Sequence, residues 1–140
     1  MTTIDWMLAP LRKYATFSGR ARRKEYWLFV LFLFLATIVT QILDTMFGFG
    51  TITASSYRLG WTGWAQVAAT GGWITHLFHL ATLIPSLAVA VRRLHDGNHS
   101  GWMMLLVFLP FIGWIVLLVL YILEGTRGAN RFGPDPLEAE

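Results

Sequence analysis

Two apolar runs, 71–91 and 102–123, contain no Lys, Arg, Asp or Glu, and only a short polar stretch separates them. At ~1.5 Å per helical residue, each reaches roughly 30 Å, the thickness of a bilayer's hydrocarbon core. A third run, 26–43, is interrupted only by Thr37, Thr40 and Gln41. Lipid offers no partner to backbone N–H and C=O groups, so such segments cross it as helices, which satisfy those groups internally. The expected fold is therefore an all-α integral membrane protein. It is a single membrane domain, 1–140, built as a small bundle of three transmembrane helices (26–43, 71–91 and 102–123) with an N-terminal interfacial amphipathic helix.

Composition agrees with this. Hydrophobic residues make up 55% of the 140 and charged residues 14%, against ~45–50% and ~25% in soluble domains. With no Cys, disulfides, thiolate metal sites and a thiol nucleophile are excluded. A retained first span is expected rather than a cleavable leader. The run from Tyr26 follows four basic residues and has no small-residue cleavage site.

In the N-terminal segment, 1–25, Ile4, Met7, Leu8, Leu11, Tyr14 and Ala15 recur at helical spacing. Pro10 implies that the helix starts there or kinks. Trp6 and Tyr14 suit the headgroup layer, and packing on the protein's own loops is the competing reading. Arg20, Arg22, Arg23 and Lys24 then crowd the first span. Beside a span, such a cluster is a topology signal with anionic lipid headgroups as its natural contact, not a nucleic-acid patch. Glu25 is expected to pair with a basic neighbour, and Trp27 shares a helix face with Arg20, Arg23 and Lys24 as a surface anchor. In the loop 44–70, Gly48, Gly50, Gly60 and Gly63 break periodicity, and Trp61 and Trp64 fit an interfacial belt. So little charge there suits a surface-lying or shallow re-entrant segment.

His76 and His79 share a face of the second span, as metal ligands or proton relays would. Both lie near its start without a carboxylate partner in the spans, so they read as hydrogen-bonded packing residues. Pro85 is expected to kink this helix. In the hinge, 92–101, Arg92 and Arg93 end the second span, Asp96, Gly97 and Asn98 are turn chemistry, and Ser100 is placed to cap a helix beginning near Trp102. His95, Asp96 and His99 have metal-like spacing, and His95, Asp96 and Ser100 are hydrolase residue types. Confined to one solvated turn, they are read as a turn, and no catalytic, metal or cofactor site is assigned. Pro110 and Gly113 in the third run imply a kink or close helix packing, or else a re-entrant hairpin turning at 110–113. The tail, 124–140, holds Asn130, Arg131 and Asp135 between helix breakers. It lacks the Lys and the strand-to-helix setting of a phosphate loop.

Three signatures occur in order: Phe17, Ser18, Gly19 and Arg20 with Arg22 through Trp27; Arg92 through Asp96 with Ser100, Gly101 and Trp102; and Gly125 and Thr126 with Asn130 through Pro136. Together they resemble the YhaH-like bacterial inner-membrane proteins, domain of unknown function 805, from about Phe17 to Pro136. The resemblance implies a multi-pass protein of the bacterial inner membrane and carries no biochemical activity with it. It places motif positions on Gly19, Arg20, Arg23, Glu25, Trp27, Arg92, Arg93, His95, Asp96, Ser100, Trp102, Asn130, Arg131, Gly133 and Asp135. The long stretch between the first two spans departs from the family, as does Arg127 where the family often has Pro.

With three full spans, Arg12, Lys13, Arg20, Arg22, Arg23, Lys24, Arg92 and Arg93 share one side, opposite Arg58, Arg127 and Arg131. The positive-inside rule then puts the N-terminus in the cytoplasm. A re-entrant third segment would move Arg127 and Arg131 across and strengthen the bias, but its turn would need protein to bury it. Three full spans are the leading expectation. The expected function is a non-enzymatic structural or interaction protein that contacts the lipid bilayer and anionic headgroups, with a homo-oligomer or membrane protein as partner. The alternative is a component of an oligomeric transporter or channel, with His76 and His79 lining a polar path.

Overall fold

The computed structural model describes residues 2–59, 62–70 and 72–138, with the two strands described by their backbone. In chain order it forms α1 (Thr3–Arg12), α2 (Arg23–Met46), β1 (Thr51–Leu59), β2 (Thr62–Thr70), α3 (Trp73–Asp96), a 3-10 helix (Gly101–Phe108) and α4 (Ile112–Ile122). There are two compact units, one of Met1–Phe32 with Thr82–Glu140, the other of Leu33–Ala81.

In the first unit, α1 opens with a capping box. The Thr2 hydroxyl accepts from the Asp5 N–H, and the Asp5 carboxylate accepts from the Thr2 N–H. The helix continues through Pro10, which falls in its last turn. Its buried face is Trp6, Ala9 and Pro10, one step round from the apolar stripe expected at 4, 7, 8 and 11, and Ile4 is exposed. Trp6 lies under the Arg22 guanidinium and the Lys24 ammonium, 5.4 and 5.8 Å from its ring centre. The helix therefore packs on the protein's own basic segment.

The third apolar run is not one helix, which corrects the expected span at 102–123. A 3-10 helix of 8 residues and an α-helix of 11 give legs of roughly 16 Å each, about half a hydrocarbon core. Between them Pro110 breaks the ladder, and Phe111 takes φ 63 and ψ −71, so that the Ile112 N–H bonds Pro110 O at 2.8 Å in a γ-turn. The legs are held together by Trp114 Nε1–H donating to Val107 O (2.8 Å), and by Gly113, where a Cβ would run into Leu106 O. The turn supplies its own partners: Leu109 N–H bonds Leu106 O, Gly113 N–H bonds Leu109 O, and Pro110 has no N–H to satisfy. That removes much of the objection that so small a chain could not shelter a re-entrant turn. Leu117 and Tyr121 of α4 form a core with Ala90 and Leu94 of α3, flanked by Tyr26, Met103 and Leu106. Around the turn, Phe108, Phe111 and Ile112 are 78%, 75% and 74% exposed.

In the second unit, Asp44 is fully buried near the end of α2, and its carboxylate accepts from the N–H groups of Gly72, Ile74 and Thr75 at 2.9–3.0 Å. These are orphan donors at the start of α3, so Asp44 caps a helix from across the fold. Thr75 Oγ1 donates to Thr40 Oγ1, and Thr37 Oγ1 bonds His79 Nε2 at 3.1 Å. Beside the helices of the expected all-α class stands one antiparallel pair, β1–β2, with register from Thr51 opposite Thr70 to Leu59 opposite Thr62. Thr51, Ile52, Thr53 and Val67 favour extended backbone, but the segment lacks the apolar alternation that would announce a strand. The interfacial belt expected of Trp61 and Trp64 lies outside the described residues and side chains. Pro85 lies within α3, which runs unbroken to Asp96, so Arg92 through Asp96 are helical and the loop proper is 97–100.

The Gly113 contact gives a direct test. Gly113→Ala should separate the two legs and destabilise the protein by about 1–3 kcal/mol, the usual cost of overpacking. Thermal unfolding in detergent would measure it.

Candidate functional site

The last turn of α3, the approach to α2 and the tail meet around Asp96. Its carboxylate accepts from Arg20 Nε at 2.9 Å through Oδ1 and from Arg93 Nη1 through Oδ2. Arg20 and Arg93 have side chains 2% and 0% exposed. Gly125 packs so closely on this carboxylate that a Cβ would collide with it. The backbone carbonyl of Asp96 also accepts, from the Thr126 N–H at 2.9 Å and from the Thr126 hydroxyl at 3.2 Å.

Arg20 fans out to the tail. Its Nη1 donates to Gly128 O at 2.6 Å, its Nη2 to Thr126 O, and Asp135 lies 3.9 Å from Nη2. Asp135 folds the tail on itself by accepting from the N–H groups of Gly128 and Leu137. Those N–H groups, led by Leu137, with the charges of Arg20 and Arg22, hold its carboxyl below the ordinary carboxylate range. Asn130 bridges back to the helix end, donating to His95 O at 3.0 Å and to Thr126 Oγ1 at 2.9 Å. The His95 ring stacks on Phe132 at 3.9 Å and bonds Gly19 O through Nδ1, while the Arg131 guanidinium lies over the Phe132 ring, 4.7 Å from its centre, and donates to Asn98 O.

Arginines and an indole also cap α4. The last carbonyls of an α-helix lack intrahelical donors. Here Tyr121 O accepts from Trp27 Nε1 and Arg93 Nε, Ile122 O from Arg23 Nη1, and Leu123 O from Arg93 Nη2. Cations at a helix C-terminus also suit its dipole. Arg23 reaches Glu124 at 3.0 Å as well, but that pair is solvent-exposed and contributes little. Beside this knot, Arg92 Nη1 bonds Glu25 Oε1 at 2.8 Å, both side chains being buried. Its Nε and Nη2 have no acceptor among the described residues.

Of the residues singled out from sequence, Arg20, Arg93, His95, Asp96, Asn130 and Asp135 converge directly. Arg23, Trp27 and Arg131 border them, and Arg92 with Glu25 forms the adjoining pair. Ser100 caps the 3-10 helix, accepting from Trp102 N–H at 3.4 Å, and Trp102 itself is exposed and apart. Asp96 is taken up by two guanidinium groups, His95 faces Gly19 and Phe132, and Ser100 serves its cap, so the hydrolase constellation is not assembled. Gly125, Thr126 and Phe132 belong to the third signature but were not singled out as site positions, and the carbonyls ending α4 were missed altogether. The signal was there in Gly125-Thr126 directly after the apolar run, but it gains meaning only once α4 returns to the hinge. A cavity of about 590 Å³ opens beside the knot, lined among others by Arg20, Arg22, Lys24, Arg127, Asp96 and Asp135.

Two consequences can be measured. Glu25→Ala strands a buried guanidinium and should cost about 3–5 kcal/mol, with Arg92→Met on top recovering much of it; thermal unfolding of the single and double variants decides. Because the folded pKa of Asp135 is depressed, its contribution is present above its ordinary value of 3.8 and is lost as pH falls below that value. Proteolysis of the tail should rise in that acid range, and Asp135→Asn should abolish the pH step.

Comparison with known proteins matches nearly the whole chain. The family model described as Protein of unknown function (DUF805) matches residues 14–134. The chain is 43% identical over 133 residues to the inner membrane protein YhaH of Escherichia coli (strain K12), covering 95% of this chain and 97% of the relative. It is 41% identical over 133 residues to the inner membrane protein YhaI of the same strain, covering 95% and 96%. No solved structure matches the chain.

Proposed function

The chain belongs to the DUF805 family, and from that premise we propose a multi-pass inner-membrane protein with a structural and interaction role and no reaction of its own. It crosses the membrane through α2 and α3. Both are 24 residues long and apolar enough to span. The hairpin of the 3-10 helix and α4 enters from the same face as the α2 start and returns to it. The N-terminus, the loop at 97–100 and the tail are then cytoplasmic.

The observation that carries this reading is the convergence of Arg20, Asp96, Thr126 and Asp135, which puts the tail beside the start of α2 and the end of α3. In this arrangement Arg12, Lys13, Arg20, Arg22, Arg23, Lys24, Arg92, Arg93, Arg127 and Arg131 all gather on one face. That is the bias expected of a cytoplasmic surface and a natural contact for anionic headgroups. The buried charges balance, Arg20 and Arg93 against Asp96 and Asp135, and Arg92 against Glu25. Such networks fix geometry more than they add stability, which suits a scaffold. His76 Nδ1 bonds Gly72 O and His79 Nε2 bonds Thr37. Those bonds support a packing role for the histidines rather than a transport path.

The test sets the two groups of residues against each other. Asp96→Asn should lose about 3–5 kcal/mol and sharply reduce the amount of protein assembled in membranes. His76→Leu with His79→Leu should cost no more than about 0.5–1.5 kcal/mol per hydrogen bond lost and leave assembly intact. A flux or pH phenotype from the histidine pair in fully assembled protein would reject the scaffold reading.

A further inference from the structure

The cavity beside the ion-pair knot has a balanced floor and an unbalanced rim. On the floor, Arg20 meets Asp96 and Asp135, and Arg93 completes the neutralisation of Asp96. These charges are spent on one another. Beside Arg22, the rim adds Arg23, Lys24 and Arg127, with Glu124 as its carboxylate among the described residues, so that these three cations exceed it by two charges.

Three of these cations are held in place. Arg22 and Lys24 rest on the Trp6 ring, which fixes the approach of α1. Arg23 is tied to Ile122 O and Glu124. Arg127 comes from the other wall, in the tail segment between Thr126 and Gly128 whose carbonyls Arg20 holds. The rim thus brings cations from two separate stretches of chain, 22–24 and 127, around a space of about 590 Å³. That volume accommodates a phosphate group with its first substituent and is large for a bare halide.

We infer that this cavity is a binding site for a phosphate-bearing anion, with Lys24 and Arg127 as its principal charges and Arg20 as its buried floor. The inference deepens the headgroup contact proposed above and rests on it where the phosphate belongs to a lipid. Arginine and lysine supply charge-assisted donors to phosphate oxygens. The pairing of Arg20 with Asp96 and Asp135 keeps the floor from collapsing onto the ligand. The same chemistry serves a phospholipid headgroup or a soluble phosphate compound.

The experiment uses the full chain in two settings. In detergent, inorganic phosphate is titrated and binding read by ³¹P NMR. In nanodiscs of phosphatidylcholine with or without phosphatidylglycerol, retained lipid is read by native mass spectrometry. The double variant Lys24→Glu with Arg127→Glu should weaken binding at least tenfold in whichever setting the wild type binds. Glu124→Gln removes the carboxylate from the rim, leaves the buried pairs alone and should tighten binding severalfold. It carries the test if the double variant fails to fold. Phosphatidylglycerol retained against excess phosphate identifies a lipid headgroup, and displacement by phosphate identifies a soluble ligand. Either outcome supports the site. Binding in neither setting, or binding that Glu124→Gln leaves unchanged, overturns it. Membrane topology does not enter the detergent arm, so failure of this site is separable from failure of the topological reading.

Discussion

The carboxylate of Asp96 is the point on which the first unit depends. It sits at the last turn of α3 and holds Arg20 from the stretch before α2 through one oxygen and Arg93 of its own helix through the other. Neither guanidinium could stay buried without it, since an unpaired charge in that setting costs several kcal/mol. Both arginines then have donors left over, and these go to main-chain carbonyls: Arg20 takes those of Thr126 and Gly128, Arg93 those of Tyr121 and Leu123. One acidic side chain thereby fixes where α4 ends and where the tail lies.

That constraint explains why the last apolar run folds back. Its end must return to Arg93, only a few residues before its beginning, so a straight helix from Gly101 to Leu123 would carry the carbonyls some 30 Å away. Pro110 and Gly113 make the return feasible. One ends the first leg and the other lets the second leg close on Leu106. The γ-turn at Phe111 is a rare and strained conformation for a residue with a side chain. It persists because the legs are held at their far ends by the core of Ala90, Leu94, Leu117 and Tyr121.

Much of this was legible in the sequence, and the rest was not for identifiable reasons. The two long helices follow from uninterrupted apolar runs and need no tertiary information. Their ends were misplaced because Arg23, Arg92, Arg93 and Asp96 read as membrane-surface loop, whereas α2 opens at Arg23 and buried pairing of Arg92, Arg93 and Asp96 accompanies the last turn of α3. Arg20, Asp96 and Asp135 could be named as candidates, but their meeting depends on the direction of the third run. Weighing the cost of a turn in lipid favoured a straight span, because the hydrogen bonds that the turn makes within itself cannot be read from spacing. The cap that Asp44 places on α3 gave no local signal, since the N–H groups that donate to it belong to Gly72, Ile74 and Thr75, far along the chain.

The central claim is that the tail returns to the face where α2 begins. Fusions of alkaline phosphatase and of a fluorescent protein after Glu140 test it most directly. The structure predicts a fluorescent fusion and an inactive phosphatase, both matching fusions placed at the N-terminus. An active phosphatase with a dark fluorescent fusion would put the tail outside, separate Asp135 from Arg20 by the full membrane, and contradict the account at its root.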